Sequence, residues 1–113
     1  MHELSIAIDI VDIATREAAK ENATKINKVD IEVGTLSGVV IEALETAMTE
    51  AIRDTMLEGS HISIHEIPAM ARCKVCRHEF KIDDWLSLCP ECGSPENEVI
   101  QGRELRLKTL EVT

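Results

Sequence analysis

Aromatic residues are nearly absent from this chain of 113 residues, which contains no tyrosine, one phenylalanine and one tryptophan. Both aromatic residues, Phe80 and Trp85, lie in one segment between two pairs of cysteines. The rest of the chain must therefore build its core from aliphatic side chains, and its 44% hydrophobic content allows this. The length suits one ordinary domain with at most a small insertion.

Basic residues are also scarce, because 12 lysines and arginines stand against 21 acidic residues and leave a formal net charge of −9. This excess is not interrupted by a basic stripe, so electrostatic repulsion argues against partners that are nucleic acids or membrane surfaces. The chain also lacks a run of roughly 18 apolar residues, and it lacks the basic start of a signal peptide. We therefore expect a cytoplasmic protein, whose four cysteines are more typical of a metal site than of disulfides.

Two segments have apolar residues at helical spacing, which predicts two amphipathic helices. The first runs from residue 4 to about 21, and the second runs from Val40 to Ile52 and ends before Gly59. The core-facing residues expected on the first helix are Leu4, Ile8, Val11 and Ala18, widened by Ile10, Ile13 and Ala14.

Alternating sequence rich in β-branched residues predicts strands at 28–33 and 61–65, and a third strand is expected over 105–112. In the third strand the apolar residues change parity, which predicts a bulge near Lys108 and Thr109. We therefore expect an α+β fold with a small three-stranded sheet and two helices. The segment 68–97 has its own composition and is expected to form an inserted zinc-ribbon-like module, leaving residues 1–67 and 98–113 as the body.

The strongest chemical signal is two Cys-x-x-Cys pairs, Cys73 with Cys76 and Cys89 with Cys92, separated by twelve residues. Each pair can aim two sulfurs at one point, and two pairs supply the four soft ligands of a tetrahedral ion. We expect Gly93 to allow a close backbone approach in the second turn. Zinc is favoured over a rubredoxin-type iron centre, which usually lies in an aromatic core. Four thiolates leave no coordination position open, so we expect a structural ion.

The first residues form a second candidate metal site. The α-amine of Met1, the amide nitrogen of His2 and its imidazole Nδ1 can close adjacent chelate rings in one plane. The amide or carboxylate of Glu3 can complete a square, which suits Ni²⁺ or Cu²⁺. On the residues alone, however, a histidine at this position is more often a solvated terminal side chain.

These features together resemble the HypA/HybF family over the whole chain. The resemblance rests on Met1-His2-Glu3-Leu4-Ser5 opening the first helix, on the four-cysteine module, on Gly34 after the first strand, and on Gln101-Gly102-Arg103-Glu104-Leu105 entering the last strand. It implies a nickel metallochaperone for maturation of [NiFe]-hydrogenase and, in some organisms, of urease.

The resemblance also implies ligands and partners. Ni(II) would be bound transiently by Met1, His2 and Glu3, in the body. Structural Zn(II) would be bound by the four cysteines of the module, namely Cys73, Cys76, Cys89 and Cys92. The implied partners are a nickel-handling GTPase of hydrogenase maturation, the apo-hydrogenase large subunit and, in some organisms, urease accessory proteins.

Two other functions fit the residues. One is a zinc-ribbon module for protein–protein interaction or regulation with no nickel role, and the other is an electron carrier with iron at the cysteines. An enzyme is not expected, because the sequence has no glycine-rich phosphate loop, no nucleophile with a nearby base and no open zinc site. His61 and His65 would lie about 13 Å apart along a strand, too far for one ion. They and His78 are expected at the surface.

Overall fold

A computed structural model of the chain describes residues 2–113, which contain two helices and six strands. The helices are α1 (Glu3–Lys20) and α2 (Ile41–Ala51). The strands are β1 (Ile26–Gly34), β2 (His61–Ile67), β3 (Met70–Cys73), β4 (Glu79–Lys81), β5 (Asn97–Gln101) and β6 (Leu105–Val112). The predicted α+β fold with two helices is confirmed.

The body contains a three-stranded sheet in the order β2-β1-β6. Strands β1 and β2 run parallel with α2 between them in the chain, and β6 pairs antiparallel with β1. Asp30 lies opposite Thr109 and the next residue, Ile31, lies opposite Leu107, so Lys108 is one residue too many for the ladder. The bulge predicted from the change in parity is therefore confirmed.

Both helices pack on one face of this sheet, where β1 buries Val29, Ile31 and Val33. Helix α1 contributes five buried residues, which are Ala7, Ile10, Val11, Ala14 and Ala18. The prediction that Leu4, Ile8 and Ile13 face the core is wrong, because Leu4 and Ile8 are each 54% exposed and Ile13 is 42% exposed. The buried face of α1 instead includes three alanines, Ala7, Ala14 and Ala18, and leaves the larger Leu4 and Ile8 outside it.

The segment after β2 forms a second three-stranded sheet in the order β4-β3-β5, with both pairs antiparallel. Its three short strands were not indicated by the sequence pattern. A separate cluster of buried residues lies here, and it consists of Ala69, Ala71, Cys73, Phe80, Ile82 and Cys89. Two half-buried side chains, Leu36 and Val99, pack against this cluster. Leu36 comes from the loop after β1, so the body contributes to the core of the second sheet.

The two sheets are joined where Gly34 meets Gly102 backbone to backbone. A Cβ atom on Gly34 would lie 2.0 Å from the Gly102 carbonyl oxygen, which excludes any side chain at residue 34. Gly102 itself has a φ of +114°, a conformation that favours glycine. The Leu36 N–H donates to the Gly102 carbonyl at 2.8 Å, and the Thr35 N–H donates to the Ile67 carbonyl at 3.0 Å. The loop after β1 therefore hydrogen-bonds to both chain connections between the two sheets, one at Ile67 and the other at Gly102.

Glu32 is buried although it lies on the face of the body sheet turned away from the helices, which we call the open face. Arg106 donates to its carboxylate at 2.6 Å, and the Lys108 ammonium lies 3.3 Å from the other oxygen. The hydrogen bond from Arg106, joined by that from Lys108, lowers the pKa of Glu32 against the opposing effect of burial. The pairing lets β1 carry a buried carboxylate between its neighbours.

Replacing Gly34 by Ala should lower the free energy of unfolding by about 3 kcal/mol, because the new methyl group overlaps fixed backbone. Gly38→Ala is the matched control. Gly38 has a φ of +81° but open space around it, so its replacement should cost only about 1 kcal/mol of backbone strain. Urea denaturation of both variants measures the difference. Equal losses would show that the contact at Gly34 relaxes freely.

The acid dependence of stability should also change when Glu32 is replaced by Gln. A carboxyl whose pKa is lowered on folding stabilises the folded state above its ordinary pKa of 4.5, and this contribution is lost as pH falls through the lowered value. Glu32→Gln should therefore be less stable at neutral pH and show a shallower loss of stability below pH 4.5. Denaturation at a series of pH values tests this, with the exposed Glu45→Gln as control. A slope unchanged in Glu32→Gln would contradict the assignment.

Candidate metal centre

The four cysteines converge at one end of the second sheet. Their sulfur atoms all lie within 4.8 Å of one another, and the Cys73–Cys92 and Cys76–Cys89 pairs are each 3.6 Å apart. A tetrahedral Zn²⁺ with bonds of about 2.3 Å requires sulfurs about 3.8 Å apart. All four are free thiols. The sulfurs of these residues therefore fit around one tetrahedral ion.

The two cysteine turns share one pattern of backbone hydrogen bonds. In each turn the first cysteine donates its N–H to the carbonyl five residues later, and its own carbonyl accepts the N–H four residues later. The distances are Cys73 to His78 2.9 Å, Cys89 to Ser94 3.0 Å, Arg77 to Cys73 3.0 Å and Gly93 to Cys89 2.8 Å. This repetition makes the two turns equivalent supports for the sulfurs.

A left-handed residue ends each turn, Arg77 with a φ of 70° and Gly93 with a φ of 76°. The expectation that Gly93 allows a close backbone approach is wrong, because a Cβ there would have nothing within 4 Å. Glycine suits this position because it adopts a positive φ without strain. The equivalent role of Arg77 was missed, since arginine carries no such signal in a sequence.

Backbone N–H groups stabilise the thiolate form of Cys73, the form that binds a cation. The N–H groups of Cys76 and Val75 lie 3.4 Å from the buried Cys73 Sγ and, Cys76 first, lower the pKa of that thiol to about 6. At Cys76 the N–H of His78 lowers the pKa, but burial and the neighbouring thiols, Cys89 first, raise it to about 12. Four thiols at this spacing repel one another as anions. Their full ionisation needs a bound cation, as expected of a metal site.

The predicted terminal site is only partly within the described residues, because Met1 lies outside them. His2 is the N-cap residue of α1, is exposed, and makes no side-chain capping bond. The carboxylate of Glu3 accepts the Val40 N–H at 3.2 Å, and this bond lowers its pKa. Within residues 2–113, the four cysteines are the only group of three or more His, Cys, Asp or Glu side chains that lie close enough together to bind one metal ion. The assignment of nickel to the terminus therefore stays a prediction.

The other histidines lie where surface residues were expected. His61 and His65 are exposed on β2, and the His65 Nε2 lies 3.0 Å from the Asp30 Oδ1 across the sheet. His78 is half-buried, stacks on Phe80 with ring centroids 6.0 Å apart, and has its Nε2 3.9 Å from Glu91. None of these contacts brings two histidines to one point.

Sequence reasoning missed two residues of the loop after β1 that touch the candidate sites. Leu36 packs against the cluster that contains Cys73 and Cys89, and the Val40 N–H binds Glu3. An isolated leucine and an isolated valine carry no signal of such contacts. They depend on where the loop crosses the rest of the molecule.

Comparison with known proteins gives matches over almost the whole chain. A family model described as hydrogenase/urease nickel incorporation, metallochaperone, hypA, matches residues 1–112. A protein named hydrogenase maturation factor HypA from Geotalea uraniireducens is 40% identical over 112 residues, covering 99% of each chain. Its namesake from Prosthecochloris aestuarii is 34% identical over 110 residues, covering 97% of each.

Solved structures share the fold. The solution structure of the nickel metallochaperone HypA from Helicobacter pylori superposes with a TM-score of 0.71 at 26% identity, covering 99% of this chain and 97% of that one. A second solution structure of a HypA protein gives a TM-score of 0.75 at 26% identity, covering 100% of this chain and 97% of that one.

Proposed function

Since the chain belongs to the HypA family of nickel-incorporation metallochaperones, we propose that it binds Ni²⁺ at its N-terminus and delivers it for maturation of [NiFe]-hydrogenase. The observation that carries the proposal is a family match that runs from residue 1 to 112 and so includes Met1-His2-Glu3. The family description names hydrogenase and urease, whereas the relatives are named for hydrogenase. Hydrogenase is therefore the first recipient to test, and urease the second.

Nickel is the cargo, and the first three residues are its proposed ligands. The exposed His2 offers its imidazole and amide nitrogens, and Met1 offers its α-amine. The Glu3 carboxylate is already bound to the Val40 N–H. The Glu3 amide lies in the first turn of α1, where N–H groups have no acceptor within the helix. It can therefore complete the square without breaking the contact with Val40.

The four cysteines are the proposed ligands of a structural Zn²⁺. Their sulfur spacing, their backbone support and their free thiols all favour this role. Bound zinc would neutralise the thiolates and supply folding free energy to a small module. We keep the proposed division of the chain into a nickel-binding body and a zinc-binding module, although residues 98–101, assigned to the body, pair with β3 of the module as part of β5.

The proposed partners are a nickel-handling GTPase, the apo-hydrogenase large subunit and, where urease is present, its accessory proteins. The net charge of −9 favours basic protein surfaces over nucleic acid or an anionic membrane. Within residues 2–113, neither helix is long and apolar enough to cross a membrane. We propose a cytoplasmic carrier that catalyses no reaction, because a closed set of four thiolates leaves no position for a substrate.

The two metal sites should be separable by substitution. His2→Ala should abolish stoichiometric nickel binding while zinc content and stability stay nearly unchanged, because an exposed terminal residue contributes little packing. Calorimetric titration with Ni²⁺ and elemental analysis measure the two effects, with the exposed His61→Ala as control. Unchanged nickel affinity in His2→Ala would overturn the terminal site.

Cys73→Ser should instead remove zinc and loosen the module, since the ion supplies much of its folding free energy. Limited proteolysis should then cut within 68–97 faster than in the unaltered protein. Val75→Ser is the matched control, because it changes an exposed residue of the same turn and removes no sulfur. Unchanged zinc content and cleavage in Cys73→Ser would contradict the structural assignment.

A short N-terminal extension should weaken nickel binding although it preserves every side chain. The extension turns the α-amine of Met1 into an amide and so displaces a donor. Binding should also weaken as pH falls, because Ni²⁺ must displace protons from the amine and the imidazole that bind it. Titrations at mildly acidic and neutral pH, followed by the ligand-field spectrum of square-planar nickel, test both effects.

A protease-removable extension supplies the control, since cleavage that restores Met1 as the first residue should restore the affinity. Equal affinity before and after cleavage, or a spectrum of six-coordinate nickel alone, would exclude the Met1 amine as a ligand. His2 would then bind through its imidazole only.

A further inference from the structure

The second sheet carries an exposed apolar loop, Ile82–Leu88, that the proposed metal sites do not use. Three of its residues are large, apolar and exposed: Trp85 by 55%, Leu86 by 88% and Leu88 by 59%. They lie within four consecutive residues. Large apolar side chains gathered at one exposed place are typical of interaction sites.

The loop has a defined shape. Its ends are anchored, because Ile82 before the exposed residues and Cys89 after them are both buried in the core of the second sheet. The Asp84 carboxylate accepts the Leu86 N–H at 2.8 Å, an Asx turn that sets the direction of the loop at its tip. Leu86 is therefore presented to solvent by a turn that the chain itself stabilises.

Two contacts from outside the loop hold it further. The Asn97 side-chain amide donates to the Ser87 carbonyl at 2.7 Å and to the Ser94 carbonyl at 3.1 Å. The Arg103 guanidinium lies 5.5 Å from the centre of the Trp85 ring, within the range of a cation–π interaction. A loop that is already ordered loses little conformational entropy on binding, which favours affinity.

The charge around the loop is mostly acidic, although Lys81 directly precedes the loop and the Arg103 guanidinium lies on its Trp85 ring. Residues 82–102 contain no lysine, arginine or histidine, whereas they contain five carboxylates, which are Asp83, Asp84, Glu91, Glu96 and Glu98. A complementary surface must therefore combine an apolar pocket with basic residues at its rim.

This combination decides between possible occupants. An anionic membrane or a nucleic acid would be repelled by the carboxylates. A symmetric contact between two copies of this chain would bring the same acidic residues together, since each copy presents the same surface. A different protein with a basic rim avoids both penalties.

We propose that Ile82–Leu88 is a docking loop that inserts Leu86 and Leu88 into an apolar pocket, rimmed by lysine or arginine, on a protein partner. The inference rests on the proposed function in one respect, because the partner is sought among the proteins of hydrogenase maturation. In this arrangement the body carries the nickel and the second sheet carries the recognition surface. Recognition can then be lost while metal binding is kept.

The test uses the full zinc-loaded chain and two purified probes, the nickel-handling GTPase and the apo-hydrogenase large subunit. Binding of each probe is measured for the unaltered chain and for Leu86→Ser and Leu88→Ser. We expect at least one probe to bind, and each substitution to weaken that binding about tenfold or more. Val112→Ser, which changes an exposed apolar residue of β6, should stay within about twofold of the unaltered chain.

The rim is tested by charge reversal. Asp83→Lys should weaken the same binding and reduce its dependence on salt, whereas Glu45→Lys, an equal change of charge on α2, should have little effect. Zinc content, thermal stability and nickel affinity are measured for every variant. All three should match the unaltered chain, because the substituted side chains are exposed.

Unchanged binding of both probes in Leu86→Ser and Leu88→Ser would overturn the docking loop while leaving nickel delivery standing. Loss of self-association in these variants, seen by sedimentation, would identify a second copy as the occupant and also overturn the proposal. If neither probe binds the unaltered chain, the proposal is wrong. The nickel titration then shows separately whether the proposed function fails with it.

Discussion

The contact between Gly34 and Gly102 is the constraint on which the arrangement of this molecule depends. The chain leaves the body sheet after Ile67, which pairs with Gly34, and it returns from the second sheet through Gly102. Because a Cβ on Gly34 would lie 2.0 Å from the Gly102 carbonyl oxygen, this crossing is possible only without a side chain. This close approach places the loop after β1 against the two chain connections between the sheets, at Ile67 and at Gly102. It also brings Leu36 to the buried cluster that contains two of the cysteines.

The same loop also reaches the other end of the proposed machinery. Six residues, 35–40, separate Gly34, which ends β1, from Ile41, which begins α2. Among them, Leu36 packs against the buried cluster that contains Cys73, and the last, Val40, donates its N–H to the carboxylate of Glu3. A metal carrier needs its cargo site exposed and its supporting structure rigid. Here a short loop tied at both ends gives support to α1 while His2 stays accessible.

Charge is distributed unevenly between the two sheets. On the open face of the body sheet, Glu32 is buried by Arg106 and Lys108, so opposite charges are paired within the chain. The stretch 82–102 has carboxylates and no basic residues of its own to pair with them. An excess of carboxylates beside exposed apolar residues becomes favourable against a surface of opposite charge. The buried carboxylate of the body is therefore neutralised within the chain, whereas the carboxylates beside the proposed docking loop would meet opposite charge on a partner.

The sequence by itself determined the features that depend on local spacing. These are the two helices, the alternating strands, the bulge at Lys108 and the pairing of cysteines that brings four sulfurs together. Only the tertiary structure decided which stripe of α1 turns inward and that Glu32 is buried by Arg106, which lies 74 residues away in the chain. Periodicity shows that a segment has two faces, but long-range packing and pairing choose what each face meets.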